Sequence, residues 1–269
     1  MRRATRTVPD ATTAAQVRAL VTTAAALPDV QRDVEANHDN NRWWPTHNTD
    51  PRMRMLAAGW STRVSYRMVG TYADVLRRAN QLGFDALTEL PDDDLTSLIT
   101  PLGLTRARVT YLRSLADALL RWEKDGTDLD TLDASAVIRD FADQVSGASF
   151  KVAQCAVLYT RGYHCGVIPV DSGMVTKLAP ALGFHLPHGP AAHEHLRQIL
   201  EHAVHTHEQD FTALARRHHV TIPPGTAPTW WTHLVLIYFK RLYLNRPPRQ
   251  LCRRRPLCDR IIGCPHAAP

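Results

Sequence analysis

Residues 144–183, QVSGASFKVAQCAVLYTRGYHCGVIPVDSGMVTKLAPALG, decide how this chain is read. They run as a turn, a helix, a loop, a short extended piece and a second helix. Gly147 stands where a tight turn hands over to a helix beginning near Phe150, so free backbone N–H groups and the positive end of the helix dipole point outward together. Such a junction suits a phosphate, although turn-to-helix junctions occur in every helical protein. VIPV at 167–170 is the one β-branched run of note; it is four residues long and interrupted by Pro169, too little to build a sheet. The class expected is all-α.

The flanking sequence agrees. A helical pattern runs from Thr12 to Ala26 behind a Thr pair that can cap it, and 38–51, HDNNRWWPTHNTDP, has the Asn, Asp and Pro content of a loop. Three helical patterns follow, RMRMLAAGWSTRVSYRMVGTYADVLRRANQLG, FDALTELPDDDLTSLITPLG and LTRARVTYLRSLADALLRWEKDG, each closing at Gly. Ten His fall between 185 and 233, and the Pro-rich pieces LPHGPAA and TIPPGTAP enclose a helical stretch, which together read as an insertion. TWWTHLVLIYFKRLYL from 229 is apolar on nearly every side and is expected to be buried. No repeat occurs at solenoid periods.

A chain of 269 residues can bury a core without crosslinks. Its formal charge of +6, from 32 Lys and Arg against 26 Asp and Glu, suits a polyanionic partner without singling one out. No run approaches the roughly 20 apolar residues of a membrane span, and MRRATRTVPDATTAAQ lacks the apolar stretch of a secretory signal, so the expected location is the cytoplasm. Of five cysteines, Cys252, Cys258 and Cys264 crowd into the last 18 residues, which suits a ligand set better than a disulfide scaffold.

The 144–183 stretch resembles the hairpin and catalytic region of the endonuclease III branch of helix-hairpin-helix DNA glycosylases. There the hairpin reads Leu-Pro-Gly-Val-Gly, followed by a Lys, an Ala-rich helix and Val-Asp-Thr. Here the matching residues are Val145, Ser146, Gly147, Ala148 and Ser149, then Lys151, then Val170, Asp171 and Ser172. The first Gly is kept; Ser replaces the Pro and the second Gly. The resemblance runs from about Trp43 to the tail. WWPTHNTDPRMRMLAAGWSTRVSY is similar to the first helix entry of these enzymes, where a Gln before a Thr fills the gap left by an extruded base; Trp60, ahead of Ser61 and Thr62, stands there instead. GLTRAR at 103–108 is similar to a Gly-Leu-x-x-x-Lys helix start.

The resemblance implies a two-lobed all-α fold with a DNA-binding cleft, divided as an N-terminal segment 1–51 that packs with the C-terminal lobe, a hairpin lobe 52–165, a second lobe 166–251 and a basic tail 252–269. It implies base excision from double-stranded DNA by a monomer associated with the nucleoid, and, because Lys151 is present, AP lyase activity as well. Gly147, Ala148, Ser149 and Phe150 would clamp a phosphate through their backbone, with Trp60 and Thr62 also meeting DNA. Asp171 would stabilise an oxocarbenium-like transition state and accept a proton; read alone, an Asp ahead of SGMVTKLAPAL is an ordinary N-cap. Lys151 in a first helical turn is near a positive dipole end, which favours the neutral, nucleophilic amine; read alone, it is a solvated or phosphate-contacting Lys.

In the family the tail holds a four-iron cluster through Cys-x6-Cys-x2-Cys-x5-Cys, whereas this chain has Cys252-x5-Cys258-x5-Cys264. Three readings stand: an iron–sulfur cluster with a different fourth ligand, a Cys3His zinc site completed by His266, or no metal. Arg241, Arg246, Arg249 and Arg253 to Arg255 add a basic surface suited to phosphates. The alternative function is a non-catalytic DNA-binding or partner-binding protein of the same fold. His202, His205 and His207 read as solvated, the Asp92 to Asp94 run as helix N-terminal charge, Trp43, Trp44, Trp230 and Trp231 as core, and Cys155 as buried.

Overall fold

The computed structural model describes residues 6–39, 41, 43 and 48–245. The protein is all-α: among the described residues every regular element is helical and none is a strand. In chain order the first helices are α1 (Ala11–Ala25), α2 (Pro28–His38), α3 (Pro51–Trp60), α4 (Val69–Leu82), α5 (Phe84–Glu89), α6 (Asp92–Ile99) and α7 (Thr105–Lys124). There follow α8 (Ala134–Gln144), α9 (Phe150–Arg161), α10 (Ala179–Ala181), α11 (Ala191–Thr206), α12 (Glu208–Arg217) and α13 (Thr229–Phe239). π-helical turns at Met174–Leu178 and Lys240–Leu244 run into α10 and out of α13. Among the described residues no helix is long and apolar enough to cross a membrane.

The chain forms two compact units, Arg42–Gly162 and Met1–Asn41 with Tyr163–Pro269, where the sequence reading sets its boundaries at 51/52 and 165/166. In the Arg42–Gly162 unit, α3 packs along α9, α8 packs against α9, and α7 supports α3, α5 and α6. Buried tyrosines tie these helices to the backbone of α3: the Tyr72 hydroxyl donates to the Ala57 carbonyl at 2.9 Å and that of Tyr111 to Met55 at 2.8 Å. An unpaired buried hydroxyl would be costly, so these bonds fix the register of α3 as well as adding to its packing.

The first expected long helix is two helices. α3 stops at Trp60 and α4 starts at Val69, with Arg63 at φ +55 between them. The break carries neither Gly nor Pro, which is why the pattern reads through it. Arg108 of α7 makes the break affordable. Its buried guanidinium donates to the carbonyls of Trp60 at 3.1 Å and Thr62 at 2.8 Å, satisfying groups the interrupted helix leaves open, and also to that of Gly103 just before α7.

In the other unit, α1 packs on α11 and α2 on α13. Every residue of α13 from Thr229 to Phe239 is buried, as its all-round apolar pattern requires. Trp230 donates from Nε1 to the His38 carbonyl at 2.9 Å, stitching α13 to the end of α2. The stretch read as a His-rich insertion is different in kind: α11 is a core helix, with Leu196, Ile199, Leu200 and Ala203 fully buried, and its histidines run from buried His195 through half-buried His193 and His202 to exposed His205. Buried Arg197 lies between Glu194 and Glu201 on the same helix, each contact at 2.5 Å.

Candidate functional site

The turn at 145–149 joins α8 to α9 and is built by three local devices. Gly147 takes φ +82, a conformation L side chains rarely adopt. Ala148 N–H closes the turn on the Val145 carbonyl at 3.0 Å, and Ser146 N–H is held by the Ser114 hydroxyl of α7 at 2.8 Å. Ser149 caps α9, its hydroxyl accepting from Val152 N–H at 3.4 Å and its carbonyl from Ala153 N–H at 2.9 Å. The N–H groups of Phe150 and Lys151, in the first turn of α9, have no intrahelical acceptor. Gly147 and Ser149 are exposed, and Ala148, Phe150 and Lys151 are half-buried. The turn thus gathers five of the residues singled out from sequence at one helix start.

Asp171 belongs to the other unit. It follows the buried segment 167–170, which is anchored where Ile168 N–H donates to Glu201 Oε1 at 2.8 Å. The aspartate caps the helical run that begins at Ser172: Oδ1 accepts from Met174 N–H at 2.7 Å. Its Oδ2 accepts from the ammonium of Lys240, a residue the sequence reading passes over. Burial opposes ionisation of Asp171, but the Lys240 charge, its hydrogen bond and the Met174 N–H outweigh that and hold the carboxyl below its usual range. The N-cap and the charged carboxylate are therefore one residue in one geometry, with 32% of the side chain exposed.

Lys240 was legible in principle. It closes an otherwise apolar run, TWWTHLVLIYFK, and a cation embedded there must find a counter-charge.

Trp60 is a correction. Its ring is fully buried and its Nε1 donates to the Arg108 carbonyl at 3.3 Å, so it packs the core and does not stand as a stacking wedge. The physical reason is that a Trp closing an apolar helix turn, MLAAGW, finds more apolar surface inside than a gap could offer. Thr62, beside it, is half-buried with its carbonyl held by Arg108. What this part of the unit exposes instead is Tyr66, 54% accessible, with Arg63 and Arg67 exposed beside it in sequence. Leu104 is 46% exposed in a left-handed conformation next to Gly103, whose carbonyl the same Arg108 holds.

Arg241 lies over the Tyr238 ring at 5.4 Å. The remaining tail arginines and the ligand candidates Cys252, Cys258, Cys264 and His266 lie outside the described residues. Cys155 is buried on α9. No protein-family model matches the chain, and a search of curated proteins finds no match.

Proposed function

We propose that this chain is a base-excision DNA glycosylase with AP lyase activity, built on the helix-hairpin-helix plan, and that the DNA-binding cleft of that plan is part of the same reading. The observation that carries it is Asp171: an ionised carboxylate at the start of a helix, fixed at both oxygens and still partly open to solvent. A glycosidic bond breaks through an oxocarbenium-like transition state, and a fixed carboxylate stabilises that charge without reorganising. The turn at Gly147 and the start of α9 offer backbone N–H groups to a DNA phosphate. Exposed Tyr66 and Leu104, with arginines near them in sequence, supply the apolar and cationic surface that distorted DNA needs.

In the proposed reaction the nucleotide is turned out of the stack, and the Lys151 amine attacks the sugar carbon that bears the base. The C–N bond to the base breaks with its electron pair going to the base, which leaves as it gains a proton. The proton released by the attacking nitrogen goes to solvent. Ring opening gives a Schiff base, and loss of the adjacent proton expels the 3′ phosphate, cutting the strand.

One observation favours a non-catalytic DNA-binding role: the Lys240 ammonium already neutralises Asp171. Base release from duplexes carrying a panel of damaged bases separates the two. The glycosylase reading expects release by the native protein and its loss in Asp171→Asn with the circular dichroism unchanged. Equal release by Asp171→Asn, or salt-sensitive binding with no release on any duplex, contradicts it.

A further inference from the structure

We propose that Lys240 is a positioning residue for Asp171, and that Gly173, by carrying no side chain, leaves the room in which the ammonium meets the carboxylate. The inference rests on reading Asp171 as the functional carboxylate and adds two residues to its machinery.

The geometry is specific. A Cβ built on Gly173 would lie 2.9 Å from Lys240 Nζ, 3.1 Å from its Cδ and 3.3 Å from Asp171 Oδ1. Gly173 does not have a positive φ, so backbone freedom does not explain the glycine; space does. The two π-helical turns among the described residues, Met174–Leu178 and Lys240–Leu244, pack on each other here, and Lys240 opens one of them. An extra residue per turn is a costly departure from regular helix that recurs at functional sites.

Stability does not account for the pair. The Lys240 side chain is 4% exposed, and a buried ion pair is commonly no better for stability than an apolar pair of similar volume. Burial drives the Lys240 amine below its usual range, the Asp171 charge resisting that and Arg241 and Lys177 adding to it. What the cation does accomplish is local: it keeps a largely buried carboxylate charged and fixes one of its oxygens. The other groups whose field reaches Asp171 are His233 of α13 and His193 of α11. Burial holds His193 below the usual imidazole range, so at neutral pH it offers no substitute cation.

Removing the ammonium leaves burial as the dominant influence, so the Asp171 carboxyl rises. The test is a carbon-13 carboxyl titration of the full chain, with the Asp171 signal assigned by its loss in Asp171→Asn. The native midpoint is expected below the ordinary aspartate range; Lys240→Met raises it by about one to three pH units, the span set by a neighbouring opposite charge. Gly173→Ala, which displaces the ammonium without deleting it, raises it in the same direction, and Lys240→Arg restores part of the native value. An Asp171 midpoint unmoved by both Lys240→Met and Gly173→Ala overturns the proposal; should Lys240→Met fail to fold, Gly173→Ala and Lys240→Arg decide it. Base release measured on the same samples reads the glycosylase assignment separately, because the carboxyl midpoint is observed whether or not DNA is cleaved. In an active protein, Lys240→Met also gains an acid limb in its pH–rate profile, which loss of packing alone would not produce.

Discussion

Gly59→Ala tests the packing that holds α9. Gly59 lies on α3, which packs along α9, the helix that carries Lys151. A Cβ at Gly59 would fall 2.2 Å from Tyr111 Cε1 and 2.3 Å from Cζ, far inside contact distance. Tyr111 has little room to yield, since its ring is buried and its hydroxyl is bonded to the Met55 carbonyl. On helix propensity alone the substitution stabilises by about 1 kcal/mol. Overpacking costs about 1–3 kcal/mol, and freeing the buried hydroxyl from its acceptor costs about 1–3 kcal/mol more. The expected net loss is about 3 kcal/mol, with the clash outweighing the propensity gain. Urea denaturation followed by tryptophan fluorescence should show a midpoint lowered by about 1–3 M, given a slope of about 1–3 kcal/mol per M. Trimming the ring in Gly59→Ala/Tyr111→Leu should recover part of that loss. A Gly59→Ala protein as stable as the native one, or more so, would refute the close approach of α3 to Tyr111.

Glu201→Gln should change how stability depends on pH. Burial pushes the Glu201 carboxyl from 4.5 up to about 7, with Arg197 opposing but shared with Glu194. A raised carboxyl favours the folded state fully below the unfolded value of 4.5 and loses that advantage as pH rises through about 7. The native protein should therefore lose up to about 3 kcal/mol relative to Glu201→Gln between those limits, visible in paired urea titrations at pH 4.5 and 7.5. Parallel pH profiles would contradict it. Gly147→Ala meets open space, so its effect is the strained φ alone. It should cost about 1–2 kcal/mol and weaken binding to an abasic-site duplex in a fluorescence-anisotropy titration, whereas unchanged affinity would remove the turn from the DNA surface.

The helical class and the 145–149 turn were legible because their signals are local. Gly147 supplies the positive φ, Ser149 supplies the cap, and the apolar face of α9 supplies the burial, all between residues 147 and 161. Burial of α13 was equally legible from its composition. The α3–α4 break was not, because its compensation comes from Arg108, more than 40 residues downstream, where sequence shows only an arginine on an amphipathic helix. α2, a short polar helix opened by Pro28, escaped notice because the weight of Asp, Asn and Glu in it resembles a loop. α11 read as an insertion because its His content masks a buried face set by Leu196, Ile199 and Leu200. Trp60 was misjudged for a related reason: position along the chain says nothing about which way a ring turns. The pairing of Asp171 with Lys240 spans 69 residues and became visible only once the chain was folded.

An amine of this protein that attacks a sugar carbon in DNA would be captured by borohydride trapping. Purified native protein and Lys151→Ala are incubated with labelled duplexes bearing an abasic site or a damaged base, then reduced. The native protein is expected to form a covalent protein–DNA adduct that is lost in Lys151→Ala while its folding is unchanged. An adduct of equal yield from Lys151→Ala, or none from the native protein on any duplex it binds, would contradict it.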